Sequence, residues 1–421
     1  MKNVSTQALA VPAGRGISRI QALARGLLLK QLTGLQHGCI TLEDAYGRRE
    51  FGGLTERCGL SVQLNVHDPE FYTDVAFGGT IGAGESYMKG LWSCGQLTDL
   101  VRILVVNREL MMDMEKGLAR LITPVSKGFH WLRKNSLRGS RRNIEAHYDL
   151  GNDFFELFLD ESWMYSSAIF EEGNTDLHRA SVHKLDIICK KLDLKPQDHL
   201  LEIGTGWGGL ALHAAQNYGC RVTTTTISRQ QHELAQKRIR EAGLQDRITL
   251  LQDDYRKLEG RYDKLVSVEM IEAVGHEYFG KFFEICSSLL KPDGLMLLQA
   301  ITIADRLYDY AKNSVDFIQR YIFPGGCLPS VGVINDCIAR RTDLRLLHMH
   351  DFAEHYAQTL KLWRERFHKN LDRIKALGYP DRFIRMWEYY LCYCEGGFLE
   401  RSTGVAQMVF AKPDNRRAAI L

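Results

Sequence analysis

Between Gly38 and about Gly90, apolar and polar residues alternate over three short runs, CITLEDAYG, RREFGG and LSVQLNVHD, with turn residues between them. A period of two predicts half-buried strands, and strands this short predict a small β-rich or α+β unit. Upstream, residues 1–30 read as a tail running into the helical pattern ISRIQALARGLLLKQLTGL. GGTIGAGESYMKGLW (78–92) is punctuated by glycine, and QLTDLVRILVVNRELMMDMEKGLARLI returns to a helical period. After Asp149 the period switches repeatedly. SVHKLDIICKKL, RQQHELAQKRIREAG and HEYFGKFFEICSSLL read as helices, while HLLEIG, CRVTTTTIS, RITLLQDD, YDKLVSVEMI and GLMLLQAIT read as strands. Such alternation predicts an α/β fold with a doubly wound, mostly parallel sheet. Near the end, LRLLHMHDF and GVAQMVFAK are placed to pair as a terminal hairpin around a long helical insertion.

Composition adds little to this picture, but local charge adds something. With 421 residues, 45% hydrophobic and 25% charged, the chain reads as a soluble globular protein of two or three domains. The formal net charge of +3 does not argue for nucleic acid. Yet KGFHWLRKNSLRGSRR (127–142) carries six Lys or Arg, no acid, and the rings of Phe129 and Trp131. A membrane surface rich in anionic lipid suits it, at roughly 1 kcal/mol per basic residue, and a solvated linker is the competing reading. The expected organisation is a small N-terminal domain over 1–125, a basic linker over 126–143 and a second domain over 144–415. No run of 18 apolar residues and no secretory signal is apparent, and the ten cysteines show neither C-x-x-C nor metal-like spacing.

The candidate chemistry begins at LLEIGTGWGGLALHAA (200–215), where Gly204, Gly206 and Gly209 fit G-x-G-x-x-G. That pattern alone is weak. A dinucleotide site wants an acid about 20 residues further on, at the end of the second strand. Here the strand ends Thr224-Thr225-Thr226-Ile227-Ser228, without a carboxylate. Glu202 instead precedes the glycines and Asp253-Asp254 follows the third strand, the register of a loop that binds S-adenosylmethionine.

HYDLGNDFFELFLDESWMYSSAIF (147–170), LEIGTGWGGLALHAA, VEMIEAVGHEYF (268–279), YIFPGGCLPS (321–330) and HYAQTLKLW (355–363) together resemble the cyclopropane-fatty-acyl-phospholipid synthases of the mycolic acid cyclopropane synthase type. The resemblance covers nearly the whole chain in colinear order. It implies a seven-stranded methyltransferase sheet and, for GGTIGAGESYMKGLW, a small sterol-carrier-like N-terminal domain. It also implies a reaction in which an acyl alkene attacks the sulfonium methyl and a bound bicarbonate removes the proton that closes a cyclopropane ring. By motif, Glu272 and Tyr356 match the bicarbonate site and Ile301 would offer its backbone. Tyr165, Tyr321, Phe323 and Phe352 would face the cation. The donor pocket is expected to comprise Tyr148, Tyr165, Ser166, Glu202, Gly204, Gly206, Ile227, Gln231, Asp254 and Tyr255. Cys394 matches a family cysteine and reads as buried, and His350 reads as a packed or surface histidine rather than a base.

Two positions depart from the family pattern. Ser167 stands where a cysteine is common, and Gln299 where a histidine is. Both can still donate to an anion and neither carries charge. The departures leave open an acyl C-methyltransferase without ring closure; a lipid carrier with an inert second domain is opposed by Glu202, Gly204, Gly206, Glu272 and Tyr356. The expected partners are phospholipid-bound unsaturated acyl chains and a membrane surface met peripherally on the cytoplasmic side, with no nucleic acid and a homodimer admitted.

Overall fold

The three alternating runs form β1 (Gly38–Asp44), β2 (Gly47–Gly53) and β3 (Ser61–Val66), joined by β4 (Trp92–Cys94) in one sheet of order β2-β1-β3-β4. The computed structural model describes residues 17–110 and 150–417. They form two units, 17–110 with 380–389, and 150–379 with 390–417. In the first unit, β1 pairs antiparallel with β2 and parallel with β3. Helix α1 (Arg19–Leu32) starts on a capping box between Ser18 and Gln21, and buries Ala24, Leu28, Leu29 and Leu32. The glycine-punctuated stretch lies within a helix, α2 (Glu70–Lys89), bent where Gly79 takes φ 56°. Gly82 passes so close to the turn before it that a Cβ there would lie 1.9 Å from the Asp74 carbonyl oxygen. Helix α3 (Leu97–Val106) follows. Residues 380–389 complete this unit, with the Tyr87 hydroxyl donating to Glu388 Oε2 at 2.8 Å and its ring 5.6 Å from that of Tyr389.

The second unit is built as the switching period predicts. Its elements are α4 (Leu177–Lys191), β5 (His199–Ile203), α5 (Gly209–Tyr218), β6 (Arg221–Thr225), α6 (Arg229–Glu241), β7 (Ile248–Leu251), β8 (Tyr262–Val268), α7 (Phe279–Leu289) and β9 (Leu290–Ile303). β10 (Arg345–Asp351) and β11 (Thr403–Ala411) make the expected antiparallel hairpin, with α8 (Ala353–Lys369) and α9 (Asp381–Leu399) between them in sequence. The seven strands run in the order β10-β11-β9-β8-β5-β6-β7, parallel from β9 to β7. Leu185, Ile188, Leu210, Ala214 and Val222 belong to one core cluster of this unit, and Phe279, Phe282, Phe283, Ile334 and Phe410 to another.

Strand order decides where a ligand sits. The chain runs outward from β5 through β6 to β7, then returns to lay β8 on the other side of β5. In open α/β sheets the crevice forms beyond the carboxyl ends of the two strands at such a reversal. Here those ends are Ile203 and Val268, followed directly by Gly204 and Glu269. Among the described residues, no helix is long and apolar enough to cross a membrane.

Candidate active site

The glycines after β5 do different jobs. Gly209 starts α5, where a Cβ would lie 2.5 Å from the Ser162 carbonyl oxygen and 2.8 Å from Met164 Sδ, so its lack of side chain serves packing. Gly204 (φ 104°) faces the Met270 side chain, 3.2 Å from where a Cβ would lie. Gly206 differs: it takes φ 52°, and a Cβ there would meet nothing within 4 Å. It combines a left-handed backbone with open space in front, as close approach by a ligand requires. Behind the loop Glu202 is buried, accepting from the Thr224 hydroxyl at 2.6 Å, while Thr205 and Thr224 hydroxyls lie 2.7 Å apart. Burial pushes the Glu202 carboxyl up to about 8, against the pull of Thr224 and of the Lys184 charge.

The other predicted donor residues surround these strand ends. Ser166 accepts from the buried Lys184 ammonium at 2.9 Å. Gln231, on the first turn of α6, is buried and accepts from the Thr226 hydroxyl at 2.9 Å, and Ile227 follows on the same loop. Asp254 is held by Arg256 through both oxygens, at 2.8 and 2.6 Å, and caps the turn that carries the buried Tyr255. Tyr165 packs 5.3 Å from Phe155, 5.2 Å from Trp363 and 6.4 Å from Phe323, and its hydroxyl meets that of Tyr390 at 2.9 Å. Of the other expected cation-facing rings, Tyr321 packs 5.2 Å from Phe317 with the planes tilted, and Phe352 lies between His350 and His355. Tyr148 and the basic run 127–142 lie outside the described residues.

At the end of β8 two half-buried glutamates lie together. Glu272 accepts from the Ile301 backbone N–H at 2.5 Å through Oε1, while its buried Oε2 has no partner among the described residues. Burial, then the neighbouring Glu269, push its carboxyl up to about 8. Glu269 collects the rest. Its Oε1 accepts from the Ser167 backbone N–H at 2.9 Å and from Gln299 Nε2 at 2.8 Å, and its Oε2 from the Tyr356 hydroxyl at 2.7 Å. Burial raises its pKa, but three donors aimed at two oxygens favour the ionised form, as does Lys184. Tyr356 is pushed well above the usual phenol range by burial and by Glu269, so it stays a donor. Ser167 joins through its amide; its hydroxyl, expected to face an anion, donates to the Ala168 carbonyl at 3.0 Å.

Gln299 is held in turn by a buried relay. Lys191 Nζ donates to Gln407 Oε1 at 2.9 Å, and Gln407 Nε2 donates to Gln299 Oε1 at 3.0 Å. A lysine only donates, so each amide is forced to turn its oxygen toward the lysine side and its NH2 toward Glu269. Cys394 is near Tyr356 and Tyr390, its thiol pushed up by burial. Glu269, Lys184, Lys191 and Gln407 are the site residues that sequence reading missed. A trace of Lys184 was present: it falls on the apolar stripe of α4 with Leu177, Ala180, Ser181 and Ile188.

Comparison with known proteins shows the family. The family model of mycolic acid cyclopropane synthetase matches residues 135–408. The tuberculostearic acid methyltransferase of Mycobacterium tuberculosis is 40% identical over 343 residues, covering 80% of each chain. The cyclopropane-fatty-acyl-phospholipid synthase of Escherichia coli K12 is 36% identical over 391 residues, covering 89% of this chain and 95% of its own. Among solved structures, the mycolic acid cyclopropane synthase CmaA1, in complex with SAH and CTAB, superposes with a TM-score of 0.61 at 30% identity, over 65% of this chain and 98% of that one. With the methyltransferase-like sheet, the strand-end carboxyls and these relatives together, the chain belongs to the mycolic acid cyclopropane synthetase family and is an S-adenosylmethionine-dependent methyltransferase.

Proposed function

We propose that this enzyme transfers a methylene group from S-adenosylmethionine to the cis double bond of an unsaturated acyl chain in membrane phospholipid, forming a cyclopropane ring. The observation that carries the reading is the half-buried pair Glu269 and Glu272, flanking the Met270 side chain that borders the glycine loop. The donor supplies an electrophilic methyl group on a sulfonium and leaves as a neutral thioether. Gly204, Gly206 and Glu202 are assigned to its amino-acid end, with Tyr165 and Ser166 beside them. Gln231 and Ile227 are assigned to the ribose, and Asp254 and Tyr255 to the adenine, Asp254 using lone pairs that Arg256 leaves free. The open face of Gly206 supports the fit.

The aromatic wall of Tyr165, Phe155, Trp363 and Phe323 supports an apolar substrate and a cationic intermediate. A desolvated ring face stabilises a nearby cation by about 2 kcal/mol. The basic run 127–142 and the N-terminal domain of residues 1–125 are assigned to the lipid surface, met peripherally. A second reading is acyl C-methylation without ring closure, favoured by the 40% identity to a tuberculostearic acid methyltransferase.

Methyl-deuterated methionine separates the two. Expressed in a host lacking cyclopropane lipids, the enzyme is expected to give phospholipid acyl chains that have lost one methyl deuterium by mass spectrometry and, from unlabelled methionine, show cyclopropane ring protons and no vinylidene protons by NMR, which separates the ring from the isomeric methylene chain. Chains keeping every deuterium on a methyl branch would replace the ring reading with the second.

A further inference from the structure

We infer that Glu269 is the resident anion of this site, and that its carboxylate, rather than a bicarbonate, takes the proton that ends the reaction. The residues that the family resemblance assigns to bicarbonate do not fit that ion here. The Tyr356 hydroxyl, the Gln299 amide and the Ser167 N–H all donate to Glu269, and the Ile301 N–H donates to Glu272. A bicarbonate would have to strip donors from a carboxylate that would then be buried without them. It would also place a second anion beside the Glu269 carboxylate, and like charges this close repel.

The backbone gives a second, independent observation. Glu269 takes φ 48°, a left-handed conformation that costs a non-glycine residue energy. Its amide still continues the sheet, donating to the Gln299 carbonyl at 2.7 Å. A strained residue whose main chain stays in the ladder and whose carboxylate reaches three donors is there for the carboxylate.

The base role rests on the function proposed above; the occupancy of the anion site does not. In the step itself the alkene π pair bonds to the methyl carbon as the bond from that carbon to sulfur breaks, leaving a cation on the adjacent acyl carbon. Glu269 accepts a proton from the transferred methyl, and the released C–H electron pair closes the ring. Glu269 is left as the neutral acid, and returns the proton to solvent once the product leaves.

The test uses the full chain and two variants. Glu269→Gly suits the left-handed backbone and clears the site, whereas Glu269→Gln keeps it filled. In carbon dioxide-free buffer, sodium bicarbonate is expected to raise the melting temperature of Glu269→Gly saturably and leave wild type unmoved, because only the variant has free donors. With dioleoyl-phosphatidylglycerol vesicles and S-adenosylmethionine, wild type should turn over equally fast with and without bicarbonate. Both variants should be slower by about 100-fold or more, and bicarbonate or formate should restore Glu269→Gly but not Glu269→Gln. Bicarbonate stabilising wild type as it does the glycine variant overturns the occupancy. A wild-type rate that collapses on degassing, or a glycine variant as fast as wild type without bicarbonate, overturns the base role. Should wild type turn over no vesicle substrate at all, the proposed function and the base role fall together, while the melting comparison still decides what fills the site. Should the glycine variant not fold, wild-type melting with and without bicarbonate and the rate of Glu269→Gln decide.

Discussion

With one oxygen on the Ile301 amide and the other unmatched among the described residues, Glu272 holds its proton up to about 8, against a usual 4.5. The sign of the consequence is fixed. The folded protein keeps a proton that the unfolded chain releases, so the contribution to stability is full below about 4.5 and is lost as pH rises through about 8. Glu272→Gln removes that slope, worth on the order of a few kcal/mol. The melting temperature of the variant should therefore gain on wild type steadily across this interval. Scanning fluorimetry of both proteins reads the gap, and a gap that does not change with pH contradicts the assignment. Glu272 and Tyr356 were legible because each lies in a stretch with family character, and Gln299 and Ile301 because of their place on the fifth strand, where Gln299 stands in for a family histidine. Glu269 lies in the same stretch as Glu272, VEMIEAVG, but carries no such mark in the sequence. An acid one residue after a strand reads as solvated, and only its left-handed backbone and buried donors mark it otherwise. Lys184 was hidden by the same rule, that lysines are seldom buried.

Elements were easier to read than side chains, because a hydrophobic period is a property of many residues at once. The parallel strands, their helices and the β10–β11 hairpin follow from it. The glycine stretch 78–92 did not. Each glycine in a helix costs about 1 kcal/mol relative to alanine, and sequence alone does not reveal that Gly82 must pass close to the Asp74 carbonyl. Nor does it reveal that hairpin and helix meet, with Gln407 of β11 joining Lys191 at the end of α4 to Gln299 of β9. Burial lowers the Lys191 ammonium to about 8, and its last hydrogen bonds decide how two amides face. Lys191→Met frees both amides to flip and weakens one donor to Glu269. A carboxylate that loses a donor has a higher pKa, so the acid limb of the kcat/KM profile should move to higher pH by about one unit. Affinity for S-adenosylhomocysteine should be unchanged by calorimetry. An unshifted limb removes the relay from the account.

At the scale of the whole molecule, the first unit is not a contiguous piece of sequence. Tyr87 donates to Glu388 and packs its ring against Tyr389, both contributed by residues 380–389. A fragment ending at residue 124 lacks that acceptor and that ring, and is expected to give a broad thermal transition by circular dichroism. Adding the segment through a short covalent linker should sharpen it, and a cooperative transition in the bare fragment would contradict the dependence. During synthesis the same arrangement acts as a timer. The segment that completes the first unit leaves the ribosome about 250 residues after the rest of it. At 5–20 residues per second that is roughly 10–50 s, far longer than a small domain needs to collapse. The nascent chain therefore carries a complete four-stranded N-terminal sheet that still lacks the helical segment 380–389, with the Tyr87–Glu388 hydrogen bond unmade, while the methyltransferase sheet up to β10 is being made.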